Sequence, residues 1–178
     1  MAYLKLIFAS LVGLVLAACQ TIPAPESGTA YLVRHAEKVP GDAALKLDDP
    51  RDPPLTRDGE TRAAALSERL SDAGVTAIWS TDTIRTRDTA QPLADRLGLE
   101  VQIYDASDLP AFAAQLKTDP TATVLVVGHS NTTPQLAEAL GAEPGVPIVE
   151  KSEYDRLYVI ELAAGLGEIQ RFGAPSDR

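Results

Sequence analysis

The sequence predicts an α/β protein, a three-layer α/β/α sandwich built on a mostly parallel sheet. Short apolar runs typical of strands alternate along the chain with amphipathic stretches typical of helices. The strongest run, residues 123–127 (TVLVV), is continuously apolar, as expected for a strand covered on both faces in the middle of a parallel sheet. In folds of this class, ligands bind beyond the carboxyl ends of the strands.

Three more strands are predicted before the strongest run, at residues 30–33, 76–79 and 101–103. After the first, a loop rich in proline and aspartate (36–55) leads to a helix that Thr56 can cap and that ends near residue 71. A second helix is expected from about Thr83 to Gly98, with an interruption near Pro92.

The remaining elements follow the same alternation. A helix is predicted over residues 109–117, and another from near Thr132 to about residue 140, with Pro134 in its first turn. Two final runs, at 157–161 and 168–172, flank a pair of glycines and predict a terminal antiparallel hairpin. With no internal repeat, residues 29–178 are interpreted as one domain.

The first 18 residues are typical of a signal peptide. Lys5 precedes an apolar run (6–16) that is shorter than the ~20 residues needed to span a bilayer. Residues 16–19 (LAAC) resemble the bacterial lipobox, in which the cysteine becomes the lipidated first residue of the mature protein. Cys19 is the only cysteine, which excludes an intramolecular disulfide. Plain secretion and a buried first helix are the alternatives.

If Cys19 is lipidated, we expect residues 19–28 to form a tether and the protein to be a cell-envelope lipoprotein that faces the periplasm. Gln20, rather than an aspartate, follows the cysteine, and by resemblance to sorting in Gram-negative bacteria this favours the outer membrane. The formal net charge is −9. Such a chain repels polyanions, so we expect no nonspecific binding to nucleic acid.

Both histidines of the chain stand directly after predicted strands. His35 follows the first strand and His129 the strongest. Arg34 precedes the first histidine, and Arg85 lies just beyond the second strand. Because parallel strands end at the same edge of a sheet, we expect these four side chains to share one rim.

This group suits phosphoryl chemistry. Arginine offers a planar fork of donors to phosphate oxygens, and the helix that begins near Thr132 can point N–H groups at an anion. Neighbouring guanidinium charges disfavour protonation of His35 and keep it nucleophilic. His129 can stabilise transition-state charge. A metal site is the alternative, but the arginines would repel a cation, so neither a metal nor another cofactor is expected.

The motifs resemble those of the histidine phosphatase superfamily, which has the phosphoglycerate mutase-like fold. Residues 34–37 (RHAE) are similar to its Arg-His-Gly motif, with Ala36 in place of the glycine. Residues 80–90 (STDTIRTRDTA) resemble its second-strand signature, and residues 127–130 (VGHS) that of its second histidine. The resemblance spans roughly residues 29–172. It implies a phosphohistidine intermediate on His35, with Arg34, Arg85 and His129 completing the pocket.

The resemblance leaves the proton donor open. Many small members use a glutamate after the third strand, where this chain has Asp105 and Asp108. Others use an aspartate directly after the second histidine, where this chain has Ser130. Asp105 is the favoured candidate, and Glu37 lies near the nucleophile. Solvated loop carboxylates are the alternative.

We therefore predict a phosphomonoesterase acting on a phosphorylated small molecule or envelope component. Lys38 and Asn131 are further candidates for substrate contact. The segment 153–156 (EYDR) could brace the pocket, but a structural role is favoured. A mutase, a phosphatase acting on phosphohistidine or phosphoproteins, and an inactive binder of phosphorylated glycans or lipids are the alternatives. A mutase needs a lid that shields its intermediate from water, and export disfavours a glycolytic step.

Overall fold

The computed structural model describes residues 27–176. The predicted signal peptide, Cys19 and all but the last two residues of the predicted tether lie outside this range. None of the helices within it has the length and apolar character needed to cross a membrane.

Within the described chain, six strands form one sheet in the order β3-β2-β4-β1-β5-β6. Strands β3, β2, β4 and β1 are parallel, β5 is antiparallel to β1, and β6 is antiparallel to β5. The mostly parallel sheet and the terminal hairpin of the sequence analysis are therefore confirmed. The strands are β1 (Thr29–Arg34), β2 (Ala77–Ser80), β3 (Val101–Ile103), β4 (Val124–Gly128), β5 (Arg156–Glu161) and β6 (Gly167–Arg171).

Helices cover both faces of the sheet and complete the three layers. Helices α2 and α3 share one apolar core with the sheet, and α4 and α5 share the other. Alternating strand residues supply the two cores, so that Leu32 and Val126 enter one and Val33 and Val127 the other. The helices are α1 (Gly41–Ala44), α2 (Arg57–Leu70), α3 (Ile84–Leu97), α4 (Leu109–Leu116) and α5 (Thr132–Leu140).

The first half of the chain contains one predicted helix cap and one loop that differs from expectation. Thr56 caps α2, because its hydroxyl oxygen accepts a hydrogen bond from the N–H of Gly59 at 3.1 Å. The loop 36–55 is more ordered than its composition suggests. It contains α1, and a single β-bridge joins Lys38 to Leu55.

The interruption expected near Pro92 is absent, and α3 continues to its left-handed cap at Gly98. Proline at this position removes the N–H that would bond the carbonyl of Asp88. The helix persists because Leu93 and Ala94 beyond the proline are buried against the sheet. Packing therefore outweighs the loss of one helical hydrogen bond.

Strands β1 and β4 are neighbours in the sheet, with Arg34 paired to Gly128 at their carboxyl ends. The connection after β1 leads through α2 to one face, whereas the connection after β4 leads through α5 to the other. Two neighbouring parallel strands that diverge in this way form the crevice in which open α/β sheets bind ligands.

Candidate active site

The two histidines meet at this crevice. Their ring centroids are 5.6 Å apart, in an edge-to-face arrangement. His35 is 3% exposed. His129 lines a cleft of about 360 Å³ together with His35, Arg85 and four other side chains. The structure thus brings together at one rim three of the four residues that the strand ends predicted, and Arg34 lies behind them.

The ring of His35 is oriented for attack through Nε2. Its Nδ1 lies 2.7 Å from the carbonyl oxygen of Ala36. A carbonyl can only accept, so Nδ1 carries the proton and Nε2 keeps its lone pair in the neutral ring. Burial lowers the pKa of His35 to about 2, although the hydrogen bond to Ala36 acts in the opposite direction, and Arg34, His129 and Arg85 lower it further. His35 is therefore a neutral base at neutral pH.

The second-strand signature supports the first motif directly. The hydroxyl of Thr89 accepts the N–H of Ala36 at 2.9 Å and donates to the carbonyl of Arg85 at 2.7 Å. Ala36 itself is fully buried. Alanine in place of glycine is accommodated here, and the turn after His35 is tied to α3.

Close packing explains the glycine before His129. A Cβ atom at Gly128 would lie 2.8 Å from the hydroxyl of Tyr104 and 2.9 Å from that of Thr132. Thr132 in turn accepts the main-chain N–H of His129 at 2.9 Å. Only glycine leaves room for this hydroxyl group, so Gly128 helps to place His129 at the end of β4.

Arg34 is held by main-chain carbonyls of the segment before β5. Its Nη1 donates to the carbonyl of Glu153 at 2.9 Å and its Nη2 to that of Glu150 at 2.6 Å. The guanidinium also lies 4.1 Å from the ring centre of Tyr154, a cation–π contact. Burial lowers the pKa of Arg34, and nearby Tyr154 and Glu150 oppose that shift. The sequence predicts the residue but not these partners.

A buried ion-pair cluster fixes the same segment. The carboxylate of Glu153, 2% exposed, bonds Arg156 at 2.7 Å, Arg171 at 2.7 Å and the N–H of Val149 at 3.0 Å. Burial alone would raise the pKa of Glu153, but these donors lower it to about 2. The structural role expected for this segment is thus the fixing of carbonyls that bind Arg34.

Arg85 is held in a different way. Its Nη1 donates to Asp52, from the long loop after β1, at 3.0 Å. The carboxylate of Asp52 also accepts the N–H of Ile84, with both oxygens at 3.0 Å.

Two donors of the arginines have no partner: within residues 27–176 the buried Nε atoms of Arg34 and Arg85 make no hydrogen bond. Buried donors of this kind are rare and fit a bound anion.

His129 is positioned by hydroxyl groups. Its Nε2 lies 3.0 Å from the hydroxyl oxygen of Thr81, which lies 3.0 Å from that of Thr86. Burial lowers the pKa of His129 to about 4, and Arg85, Arg34 and Lys38 lower it further. The ring is therefore neutral at neutral pH until an anion binds beside it.

The remaining predicted residues differ in their placement. Lys38 and Asn131 line the cleft, as do Ser130 and Glu150. Asp105 does not line it. This carboxylate is exposed and accepts the main-chain N–H of Ser107 at 2.8 Å, which lowers the pKa of Asp105.

Glu37 and Asp108 are occupied elsewhere. Both carboxylate oxygens of Glu37 accept from Nε of Arg62 at 2.9 Å, and one also accepts from its Nη2 at 2.7 Å, on the side of α2. Asp108 caps α4 by accepting the N–H of Ala111 at 3.0 Å. Neither residue lines the cleft, so the structure does not bring the expected proton donors to the histidines.

Sequence reasoning missed three residues at the site: Asp52, Thr81 and Glu150. Thr81 belongs to the second-strand signature and could have been found from its place directly after β2. The other two lie in segments with no strand or helix periodicity, and only their tertiary contacts bring them to the histidines.

Comparison with known proteins agrees with this site. A family model described as histidine phosphatase superfamily (branch 1) matches residues 30–106, which contain the first two motifs. Probable phosphoglycerate mutase GpmB of Serratia proteamaculans is 42% identical over 71 residues, which are 40% of this chain and 33% of that protein. The Escherichia coli O1:K1 protein of the same name is 38% identical over 76 residues, 43% of this chain and 34% of that protein. The match thus spans about a third of these curated relatives.

Solved structures share the fold over most of the chain. A mycobacterial glucosyl-3-phosphoglycerate phosphatase superposes with a TM-score of 0.60 at 16% identity, covering 84% of this chain and all of that one. The protein histidine phosphatase SixA in complex with tungstate gives 0.58 at 18%, covering 83% and 97%. A putative phosphohistidine phosphatase SixA of Agrobacterium tumefaciens gives 0.59 at 22%, covering 84% and 99%.

The family match covers Arg34, His35 and Arg85 but not His129. The fold shared with the glucosyl-3-phosphoglycerate phosphatase covers 84% of this chain. Residues 30–106 thus match the histidine phosphatase superfamily, and the chain shares its fold with solved phosphatases over most of its length.

Proposed function

We propose that the protein is a phosphomonoesterase that transfers the phosphoryl group of its substrate to His35 and then to water. The orientation of His35 carries the proposal. Its Nδ1 is bound to the carbonyl of Ala36 at 2.7 Å, and its depressed pKa keeps Nε2 unprotonated. A neutral, oriented imidazole beside two arginines is a nucleophile for phosphorus.

The surrounding donors match the demands of the reaction. A phosphoryl group at Nε2 of His35 accepts hydrogen bonds from the unused Nε atoms of Arg34 and Arg85. His129 contributes a further donor as charge builds up on the phosphoryl oxygens. The carbonyl of Ala36 continues to accept from Nδ1 and stabilises the positive charge that the phosphorylated ring acquires.

The test is hydrolysis of p-nitrophenyl phosphate, with and without vanadate, by the wild type and His35→Ala. We expect vanadate-sensitive turnover in the wild type only. We also expect an acid-labile, alkali-stable phosphoenzyme that is lost in the variant. Vanadate binding without turnover would favour the inactive binder of phosphorylated glycans or lipids and overturn the enzyme proposal.

Hydrolysis of phosphohistidine in proteins is the second candidate. Two solved neighbours, the protein histidine phosphatase SixA and a putative phosphohistidine phosphatase SixA, are matched over 97% and 99% of their length. This chain therefore adds few insertions to their fold. A phosphohistidine-bearing protein and a panel of phosphorylated sugars, lipids and nucleotides, assayed side by side, distinguish the two candidates. The mutase alternative predicts phosphoryl transfer to a second alcohol at a rate above transfer to water.

We further propose export and lipid anchoring at Cys19, with the domain facing the periplasm. The supporting observation is the signal peptide and lipobox-like sequence of residues 1–19. Labelling of expressing cells with radioactive palmitate tests it. The wild type is expected to incorporate label and sediment with membranes, and Cys19→Ala to do neither. Incorporation in Cys19→Ala would contradict the proposal, and the outer-membrane assignment is tested by fractionation.

A further inference from the structure

The cleft beside the histidines contains a carboxylate that the sequence motifs do not suggest. Among the residues that line it, Glu150 is the one acidic side chain. The residue is exposed, and none of the hydrogen bonds or ion pairs within residues 27–176 uses its carboxylate. Burial lowers the pKa of Arg34, and the negative charge of Glu150 opposes that shift, so the two side chains interact.

Other carboxylates near the histidines have partners that hold them in other roles. Asp52 pairs with Arg85 at 3.0 Å and accepts the N–H of Ile84. Glu37 faces Arg62. The candidates after β3 lie in an exposed turn and at a helix cap, outside the cleft.

The main chain at Glu150 is well fixed even though its side chain is exposed. Its carbonyl accepts Nη2 of Arg34 at 2.6 Å. On either side, Val149 is hydrogen-bonded to Glu153 through both its N–H (3.0 Å) and its carbonyl (2.8 Å). The main chain that bears Glu150 is therefore fixed beside the cleft that the residue lines, which limits the positions its carboxylate can reach.

We propose that Glu150 is the proton donor to the leaving group, a role that rests on the proposed phosphomonoesterase function. The protonated carboxyl group gives its proton to the ester oxygen as the bond from phosphorus to that oxygen breaks and the bond from phosphorus to Nε2 of His35 forms. The alcohol departs and Glu150 is left as a carboxylate. Water then attacks the phosphohistidine, its proton passes to Glu150, and inorganic phosphate leaves with His35 neutral again.

The lining of the cleft supports this assignment. Lys38 and Arg85 are accessible to the phosphate of the substrate, and Glu150 lines the same cleft as its one carboxylic acid.

The test varies the leaving group. p-Nitrophenolate departs without a proton, whereas an alkoxide requires one, so the two kinds of ester separate proton donation from every other step. Glu150→Gln keeps the size of the side chain but cannot donate an acidic proton. Asp105→Asn is the matched control for the donor position expected after β3. The parameter is kcat/KM, because it reports phosphoryl transfer to His35 and not the later hydrolysis of phosphohistidine.

We expect Glu150→Gln to retain kcat/KM for p-nitrophenyl phosphate within about threefold and to lose about 100-fold or more for propyl phosphate and ethanolamine phosphate alike. Asp105→Asn is expected to match the wild type with all three esters. Equal losses with the aryl and alkyl esters would overturn the proposal, since they would indicate a role in binding or folding. A loss confined to ethanolamine phosphate would also overturn it and indicate a subsite for a cationic leaving group.

The outcomes separate this inference from the function on which it rests. A wild type inactive towards all three esters would overturn the phosphomonoesterase proposal, and the role of Glu150 with it. A wild type active with the aryl ester alone would overturn the role of Glu150, because an enzyme with a placed proton donor does not depend on an activated leaving group. Inhibition of residual aryl hydrolysis by vanadate serves as the folding control for Glu150→Gln.

Discussion

On the β1 side of the histidines, the guanidinium of Arg34 contacts main-chain carbonyls, whereas on the β2 side that of Arg85 contacts a carboxylate. The residues that surround the two arginines also differ. Behind Arg34 lies the buried ion-pair cluster of Glu153. On the β2 side, the hydroxyl group of Thr81 lies beside His129 and contacts that of Thr86.

The difference lies in how positive charge is compensated. Neutral carbonyls accept from Nη1 and Nη2 of Arg34 but leave its charge for an anion, and loss of Arg34 leaves these buried acceptors without donors. Asp52 neutralises Arg85 in part, and both side chains have some contact with solvent, at 13% and 26% exposure. The β1 side therefore couples binding to the stability of the fold, whereas the β2 side can be altered at little cost to folding.

The largest expected effect separates the two arginines. Arg34→Ala and Arg85→Ala are each expected to reduce kcat/KM about 10²–10³-fold, because each removes a donor to the phosphoryl group. Arg34→Ala is also expected to destabilise the fold by about 3 kcal/mol, because buried carbonyls lose their donors. Arg85→Ala is expected to cost less than about 1 kcal/mol. Urea unfolding measures the loss of stability in each variant. Equal destabilisation by the two substitutions would contradict the proposed difference between the β1 and β2 sides.

Next in size is the effect of Glu153 on stability. Glu153→Ala leaves Arg156 buried without its partner and is expected to cost about 3–5 kcal/mol at pH 7. The pKa of Glu153 is lowered from 4.5 to about 2 in the folded chain, so its ionic contribution is present above pH 4.5 and is lost as the pH falls towards 2. Urea unfolding of wild type and variant across this range should show converging stabilities. A constant difference would contradict the ion-pair explanation.

A smaller loss is expected on the β2 side. Thr81→Val removes the hydroxyl at 3.0 Å from Nε2 of His129 and frees the ring to turn, which we expect to lower kcat about 10-fold with little change in stability. Thr81→Ser keeps the hydroxyl and is the matched control. Turnover of p-nitrophenyl phosphate measures both, and a serine variant as slow as the valine variant would indicate that the methyl group matters instead.

The smallest expected effect is a gain in the binding of inhibitory anions. Asp52→Asn preserves an acceptor for Arg85 and for the N–H of Ile84 but removes a negative charge beside the cleft. We expect inorganic phosphate and vanadate to inhibit about fivefold more strongly, a change of about 1 kcal/mol. Inhibition constants at low and high salt measure it, and the gain should shrink at high salt. Weaker inhibition would show that Asp52 orients Arg85 rather than neutralising it.

The sequence predicts the parallel half of the site well because its residues lie at, or within a short turn of, the carboxyl ends of apolar strands. Arg34, His35 and His129 could be placed at one rim from strand order alone, and Arg85 from the short turn after β2. Local pattern determines these positions, and the tertiary fold only has to form the sheet.

The segment before β5 could not be predicted in the same way. Tyr154 and the carbonyls that bind Arg34 reach the site because a buried ion-pair cluster holds them, and no periodicity reveals such a cluster. The prediction of Asp105 as proton donor is not supported for a related reason. Its position after β3 resembles the family pattern, but the turn to Ser107 leaves its carboxylate in solvent.

The antiparallel direction of β5 determines which residues near the end of the chain reach the histidines. Its amino end, not its carboxyl end, lies beside the carboxyl ends of β1 and β4. The strand thus brings the residues that precede it to the edge of the sheet where the histidines lie, on a segment separate from the one that carries His35. Substitution of the exposed Glu150 can therefore change the proposed leaving-group chemistry, whereas exchange of the whole segment would also remove the carbonyls that hold Arg34.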